Sequence, residues 1–97
     1  MLIQNKLIGK KGMFYVGGDG AVLAEMVYSK PTADKMIIEH TEVDDSLKGK
    51  GVGLQLLNTA VAYARNHNMK IVPLCPFAKS VFDKKPELAD VLFDSGR

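Results

Sequence analysis

The sequence predicts one α/β (α+β) domain in which a mixed β-sheet packs against a main helix. Four apolar segments, separated by turn residues, lie before position 44 and predict an antiparallel meander. Residues 52–65 have the apolar spacing of an amphipathic helix, and Lys70–Leu74 is typical of a further strand. Short strand–helix–strand units almost always form right-handed parallel crossovers, so one parallel strand is expected to complete the sheet.

Composition narrows the classes of function. The chain has 97 residues, which we interpret as a single domain over 1–97 with a small core. A net charge of +2 argues against a nucleic-acid binder, and the single cysteine permits no intrachain disulfide. No apolar run approaches the roughly 20 residues of a membrane span, and no signal-peptide core is present. We therefore expect a cytoplasmic protein without a membrane partner.

The meander is assigned from alternation and turn chemistry. Apolar residues at 2–3 and 7–8 predict a short edge strand, and the fourth strand is the uninterrupted, β-branched segment Lys35–Val43. In the third strand, residues 22, 24, 26 and 28 are expected on one face. The remaining elements of this half are a turn at 9–12, a strand at 13–16, a tight hairpin turn at 17–20, a strand at 21–29 and a loop at 31–34.

The second half is dominated by the main helix. Its apolar stripe is predicted to be core and to have no ligand role. Pro76 suits the first position of a second helix that extends to Lys84, and Pro86 starts a short last helix that reaches Leu92. The predicted stripe consists of Gly53, Leu56, Leu57, Ala60, Val61 and Ala64.

The glycine-rich segment Lys48-Gly49-Lys50-Gly51-Val52-Gly53 connects the fourth strand to the main helix. Glycine lets a backbone approach a ligand closely, and a helix N-terminus offers free N–H groups and a positive dipole end. These properties predict an anion site, most readily for a phosphate. The alternative is a surface turn with two solvated lysines.

The spacing of the glycines distinguishes between known phosphate loops. No Ser or Thr follows as a P-loop requires, and Leu54 replaces the third glycine of the dinucleotide fingerprint. The segment instead resembles the acyl-CoA loop of the GNAT superfamily of N-acetyltransferases, [Gln/Arg]-x-x-Gly-x-[Gly/Ala]. Lys48, Gly51 and Gly53 stand at its fixed positions, with Lys48 a basic departure. The resemblance implies that backbone N–H groups over residues 48–53 hold the pyrophosphate of acetyl-CoA.

Pro73 is unexpected in a paired strand, because proline cannot donate to a ladder. Either the fourth and fifth strands separate at their C-terminal ends, or Pro73 lies past the last ladder bond. In the GNAT superfamily such a separation exposes backbone groups to the pantetheine arm of CoA. By that resemblance the partners are the backbones of Thr41, Glu42 and Val43.

Cys75 is the first candidate for catalysis. It is predicted at the N-cap of the second helix, where the helix dipole and Lys79 would stabilise a thiolate. Its place after a strand and beside the glycine loop also favours ligand contact. The alternative is a buried cysteine that acts as a small apolar residue.

His40 is the second candidate, because imidazole titrates near neutrality and suits a general base. Period two predicts Glu39 and Thr41 on one face of the strand, and His40 and Glu42 on the other. A hydrogen-bonded structural histidine is the alternative. With two histidines and one cysteine, the sequence argues against a metal site.

Glu39–Val43, Lys48–Gly53 and Pro73–Ala78 resemble, more specifically, the small YjdJ-type branch of GNAT-like proteins. This implies acetyl-CoA binding and acetyl transfer to an acceptor, an amine or a thiol, that the sequence does not identify. Ala78 sets a register in which Cys75 replaces the family's CoA-contacting Asn, and Phe82 replaces its general-acid Tyr. The replacement of this tyrosine argues against amine acetylation by the family's usual mechanism. The alternatives are a non-catalytic acetyl-CoA-binding module and an RNA- or protein-contacting domain with a relic loop.

Overall fold

The computed structural model describes residues 1–18 and 20–93 of the chain. Five strands form one sheet in the order β1-β2-β3-β4-β5, antiparallel except for the parallel pair β4 and β5. This is the predicted mixed sheet. The strands are β1 (Gln4–Ile8), β2 (Lys11–Gly18), β3 (Ala21–Thr32), β4 (Lys35–Val43) and β5 (Lys70–Pro73). The helices are α1 (Val52–Asn66) and α2 (Pro76–Lys84), with short 3₁₀ helices at Asp45–Leu47 and Pro86–Val91.

The core lies on one face of the sheet, between the strands and α1, which contacts β2, β3, β4 and β5. The α1 stripe is buried as predicted, except that Val52 rather than Gly53 is its first fully buried member. We call the opposite side of the sheet the outer face; it carries the half-buried side chains of Met13, Tyr15, Glu25, Val27 and Ile37. The core side of the strands consists of Phe14, Val16, Ala24, Met26, Tyr28, Met36, Ile38 and Ile71.

Several strand boundaries differ from the prediction. β1 starts at Gln4 rather than at residue 2, and β2 includes Lys11 and both Gly17 and Gly18. β3 extends through Pro31 and Thr32, which the sequence placed in a loop. Cross-strand pairing explains these extensions, because Gly17 and Gly18 pair with β3 and Thr32 pairs with Lys35, whereas Pro31 only lies between paired residues. The predicted hairpin turn at 17–20 includes residue 19, which lies outside the described residues.

Of the three register shifts in the described part of the sheet, two affect the side chains discussed below. Between Val16 and Gly17 of β2 the register with β3 shifts, and Val22 is 50% exposed instead of continuing the buried alternation. In β4, Ile38 pairs with Tyr28 whereas His40 pairs with Val27, so Glu39 is an extra residue. Such a bulge reverses the side-chain alternation beyond it.

After α2 the chain returns to the sheet. β5 ends at Pro73, so Leu74 lies outside the strand, contrary to prediction. After the last 3₁₀ helix, Leu92 forms a parallel bridge with Ile71, and the N–H of Phe93 donates to the Ile71 carbonyl at 2.9 Å. The sequence predicts a tail after Leu92, but this bond holds Phe93 against β5, and residues 94–97 lie outside the described residues. Within the described part of the chain, no helix has both the length and the apolar character needed to cross a membrane.

Candidate acyl-CoA cleft

β4 and β5 separate halfway along β4. Their parallel ladder ends where Ile38 pairs with Pro73, and the N–H groups of Leu74 and Cys75 both donate to the Ile38 carbonyl, at 3.0 and 3.1 Å. β4 continues to Val43 without a partner on that side among the described residues. Pro73 therefore lies at the last paired position of the ladder, where the lack of an N–H costs the fewest hydrogen bonds, and the strands separate beyond it.

The bond pattern with β3 shows which backbone groups face this open edge. The N–H of Asp44 donates to the Leu23 carbonyl at 2.7 Å. Because alternate residues of an antiparallel strand face the same partner, Glu42 also points its N–H and C=O at β3. Thr41 and Val43 then direct theirs toward the opening. Of the three predicted backbone contributors, the geometry leaves these two available at the edge.

The glycine-rich segment turns the chain from β4 into α1. Gly49 and Gly51 have φ values of +79° and +73°, a left-handed conformation that other residues seldom adopt. Gly51 is the N-cap of α1 and has no side chain to bond the first turn. The first backbone hydrogen bond of the helix is donated by the Gln55 N–H to the Gly51 carbonyl. Among the described residues, the N–H groups at 52–54 find no acceptor, so they are free to bind an anion.

Gly53 lies in α1 for a different reason. A Cβ at this position would be 3.1 Å from Cζ of Phe77, so a larger residue would require the Phe77 ring to move by a few tenths of an ångström. This contact encloses a cleft of about 360 Å³ between the open edge of β4 and the glycine loop. Its walls are formed by Thr41, Val43, Leu47, Lys48, Gly49, Gly51, Val52, Gly53, Leu54 and Phe77.

Charges around the loop are partly paired. Lys48 Nζ lies 3.1 Å from the carboxylate of Asp45, in an exposed pair that offsets part of its positive charge. The hydroxyl and backbone N–H of Ser46 both donate to Asp44 and hold the pKa of its carboxyl below the usual value. Lys50 is exposed. The anion-attracting elements of the loop are therefore the helix N–H groups and Lys50, with a smaller contribution from Lys48.

Cys75 lies at the N-cap of α2, as predicted, but its side chain is only 4% exposed. Its thiol donates to the hydroxyl of Thr41 at 3.3 Å, which places it behind the wall of the cleft. Lys79, expected to support a thiolate, instead forms an exposed pair with Asp83 at 3.4 Å.

His40 lies on the other side of the sheet. The bulge at Glu39 puts Glu39, His40 and Glu42 together on the outer face, so the predicted separation of Glu39 from His40 is wrong. The side chain of Thr41 does lie on the face of β4 opposite His40, as predicted. The two catalytic candidates therefore lie on opposite faces of β4, and the structure does not bring them together.

The apolar walls of the cleft were not predicted. Leu47, Leu54 and Phe77 come from three separate elements, and only their packing makes them neighbours. The one signal in the sequence was Gly53, since a glycine inside a helix often marks a close approach.

Comparison with known proteins identifies relatives of this fold. A family model described as GCN5-related N-acetyl-transferase matches residues 13–91. The solution structure of a GCN5-like protein from Staphylococcus aureus is 34% identical, covers 97% of this chain and 91% of its own, and has a TM-score of 0.69. No sequence among the curated proteins matches the chain.

More distant structures share the fold at lower identity. A GNAT family acetyltransferase from Elizabethkingia anophelis, solved with acetyl-CoA bound, is 16% identical with a TM-score of 0.60, over 79% of this chain and 53% of its own. Tetrahymena GCN5 is 14% identical with a TM-score of 0.63, over 77% of this chain and 49% of its own. This chain thus spans about half the length of these two relatives.

Proposed function

This chain belongs to the GCN5-related N-acetyltransferase family, and we propose that it binds acetyl-CoA in the β4–α1 cleft and transfers the acetyl group to an unidentified amine or thiol. One observation carries the proposal. The cleft has two sets of unpaired backbone groups, one at the open edge of β4 and one at the first turn of α1. The pantetheine arm of CoA needs the first set, and the pyrophosphate needs the second.

The pyrophosphate is assigned to the glycine loop, residues 48–53. Three free N–H groups at the start of α1 and the positive end of its dipole favour a multiply charged anion. Gly49 and Gly51 have no side chains, and the space beside them is open, since no heavy atom lies within 4 Å of a Cβ built on either. Lys48 and Lys50 add charge at the rim.

The pantetheine arm is assigned to the open edge of β4. Its amide groups can pair with Thr41 and Val43 in the manner of an added strand. The backbone groups of Glu42 bond to β3, so Glu42 would not pair with the pantetheine arm itself. The apolar side chains of Leu47, Leu54 and Phe77 would cover the aliphatic part of the arm.

Cys75 is the proposed acetyl acceptor within the protein. In this step its sulfur attacks the thioester carbonyl, the bond from the carbonyl carbon to the CoA sulfur breaks, and the Cys75 proton passes to that sulfur. An acceptor amine or thiol then attacks the acetyl-cysteine and restores the thiol. A second route has Cys75 only protonate the departing CoA sulfur, while His40 acts as base on the acceptor from the outer face.

A non-catalytic acetyl-CoA-binding module is the second candidate. It is favoured by the burial of Cys75 and its bond to Thr41, which are also the features of a packing cysteine. Phe82 supplies no proton at the position where relatives are expected to carry tyrosine.

Binding is tested by charge reversal at the loop. Lys50→Glu should weaken acetyl-CoA binding by about 1 kcal/mol, roughly fivefold, because it places a negative charge beside the pyrophosphate. Lys10→Glu makes the same charge change in the β1–β2 turn and should leave the affinity unchanged. Isothermal titration calorimetry measures both. Equal losses in the two variants would show that only the net charge matters and would remove the assignment to the loop.

The role of Cys75 is tested by mass spectrometry of the intact protein after incubation with acetyl-CoA, first alone and then with a panel of amines. We expect one added acetyl group on the native chain and none on Cys75→Ala, which should still bind acetyl-CoA. Ala78→Gly, a change of similar size at a buried position of α2, is the packing control and should remain acetylated. If the native chain binds acetyl-CoA but is never acetylated, and no amine releases CoA, the binding-module assignment replaces transfer.

A further inference from the structure

Three ligating side chains meet on the outer face, away from the cleft side of β4. Glu25 and Glu42 are directly paired across β3 and β4, and His40 is the next residue of β4 whose side chain points the same way. His40 Nε2 lies 3.5 Å from Oε1 of Glu42 and 3.8 Å from Oε2 of Glu25. One nitrogen and two carboxylate oxygens thus lie within 4.8 Å of one another.

The β4 bulge creates this cluster. Without the extra residue, His40 would continue the alternation of Met36 and Ile38 and point into the core. With it, the imidazole is brought onto the same face as the two carboxylates, on two hydrogen-bonded strands of a sheet. The arrangement is therefore fixed by backbone pairing rather than by flexible loops.

The paired glutamates are unfavourable by themselves. Like charges directly opposite each other on neighbouring strands destabilise a sheet. Glu39, the nearby third carboxylate, does not share this problem, because Lys11 donates to it at 2.7 Å and holds the pKa of its carboxyl below the usual value. No lysine or arginine forms an ion pair with Glu25 or Glu42 among the described residues. A cation between them would offset the repulsion.

We propose that Glu25, His40 and Glu42 bind a divalent transition metal ion of the zinc type. An imidazole with two carboxylates is a ligand set for borderline ions, whereas Mg²⁺ and Ca²⁺ prefer oxygen alone. Both glutamates, without His40, also line a hollow of about 480 Å³ at the ends of β3 and β4, through which an ion could approach them. Counting only histidines and cysteines in the sequence overlooked this set.

The proposed metal site is not part of the acetyl-transfer proposal, but it limits which residue can act as the base in that reaction. An imidazole whose lone pair binds a metal cannot accept a proton, so His40 in this role would not be the base for the acceptor. Metal binding would then leave Cys75 as the remaining candidate of the pair.

The test is a titration of the untagged chain with ZnCl₂. In protein labelled with ¹⁵N-histidine, the ring signals of His40 should move and saturate, while those of His67, which stacks on Tyr63, should not. By calorimetry, His40→Asn and Glu25→Gln should each weaken Zn²⁺ binding at least about tenfold.

Matched controls come from the same chain. His67→Asn removes the other histidine and Glu39→Gln removes the neighbouring outer-face carboxylate; both should bind Zn²⁺ as the native chain does. The proposal is overturned if no saturable binding occurs, if the His40 ring signals do not respond, or if the control variants lose as much affinity as His40→Asn and Glu25→Gln.

Discussion

Tyr28 shows how a single residue can join a polar strand to an apolar core. Its side chain is fully buried and stacks on Phe14, with ring centroids 5.0 Å apart, while its hydroxyl donates to Asn5 Oδ1 at 2.9 Å. Gly12 makes this path possible, because a Cβ there would lie 2.5 Å from Cζ of Tyr28. The edge strand β1 is thereby tied to the core beneath its neighbours.

This environment predicts a stability that falls in alkali. Burial raises the pKa of Tyr28, the nearby Tyr63 adds to the increase, and the bond to Asn5 opposes it. A raised pKa in the folded state means that the stabilisation is complete below the unfolded value, near pH 10, and is lost as pH rises through the folded value. Urea unfolding between neutral pH and pH 11 should show this loss, and Tyr28→Phe should reduce it.

Comparison of the native chain with Tyr28→Phe isolates the contribution of this one hydroxyl to the change in stability. Tyr28→Phe should cost about 1 kcal/mol at neutral pH for the lost hydrogen bond, and its disadvantage should shrink in alkali. A constant difference between the two chains at every pH would contradict the assigned cause.

The start of α1 is set by backbone conformation at the level of the element. Gly51 is the N-cap in a left-handed conformation, and its position leaves the first N–H groups directed into the cleft. An N-cap Ser or Asp would bond those groups with its own side chain and compete with an anion. Glycine at this position thus leaves the helix start uncapped and available for binding.

Substitution of Gly51 separates conformation from binding. Gly51→Ala should lower the free energy of unfolding by about 1–2 kcal/mol, because alanine is strained at positive φ. Gly51→Asn should lower it less, since asparagine tolerates this region, and no heavy atom lies within 4 Å of the new Cβ. Urea denaturation measures both. If alanine proves as stable as glycine, the left-handed N-cap is not what fixes the helix start.

In the molecule as a whole, the described helices cover one face of the sheet, and its fourth and fifth strands separate beneath α1. Opposite ends of the chain are held by specific contacts: β1 by Tyr28, and the last 3₁₀ helix by Arg65, which bonds both carboxylate oxygens of Asp90 at 2.9 Å. The Arg65 guanidinium lowers the pKa of Asp90. The open edge of β4 lines the cleft beside the glycine loop.

Filling that cleft should stabilise the whole fold. Acetyl-CoA at about 100 times its dissociation constant should add roughly 2.7 kcal/mol to the free energy of unfolding. For a domain of this size, this corresponds to an increase in Tm of about 10 °C or more. Differential scanning calorimetry with and without acetyl-CoA measures the shift. Inorganic phosphate at the same concentration should produce a much smaller shift, and an equal one would reduce the cleft to a general anion site.

The elements with strong local patterns were predicted closely. β4 has the bounds expected of it, and α1 differs by one residue at its end, because alternation and helical periodicity are properties of a continuous stretch of chain. The glycine loop and the N-cap position of Cys75 were likewise evident from residue types. The lengths of β2 and β3 were not, since Gly17 and Gly18 belong to β2 through pairing with β3, and β3 extends past Pro31 through pairing of Thr32 with Lys35.

The order of elements, the parallel crossover and the glycine-rich start of α1 could therefore be predicted from residue types and their spacing alone. Tertiary structure decided how those elements meet. The β4 bulge moved His40 to the outer face, and packing brought Phe77 against Gly53 to close the cleft. Register and close packing are properties of two segments at once, so neither can be recovered from the periodicity of one.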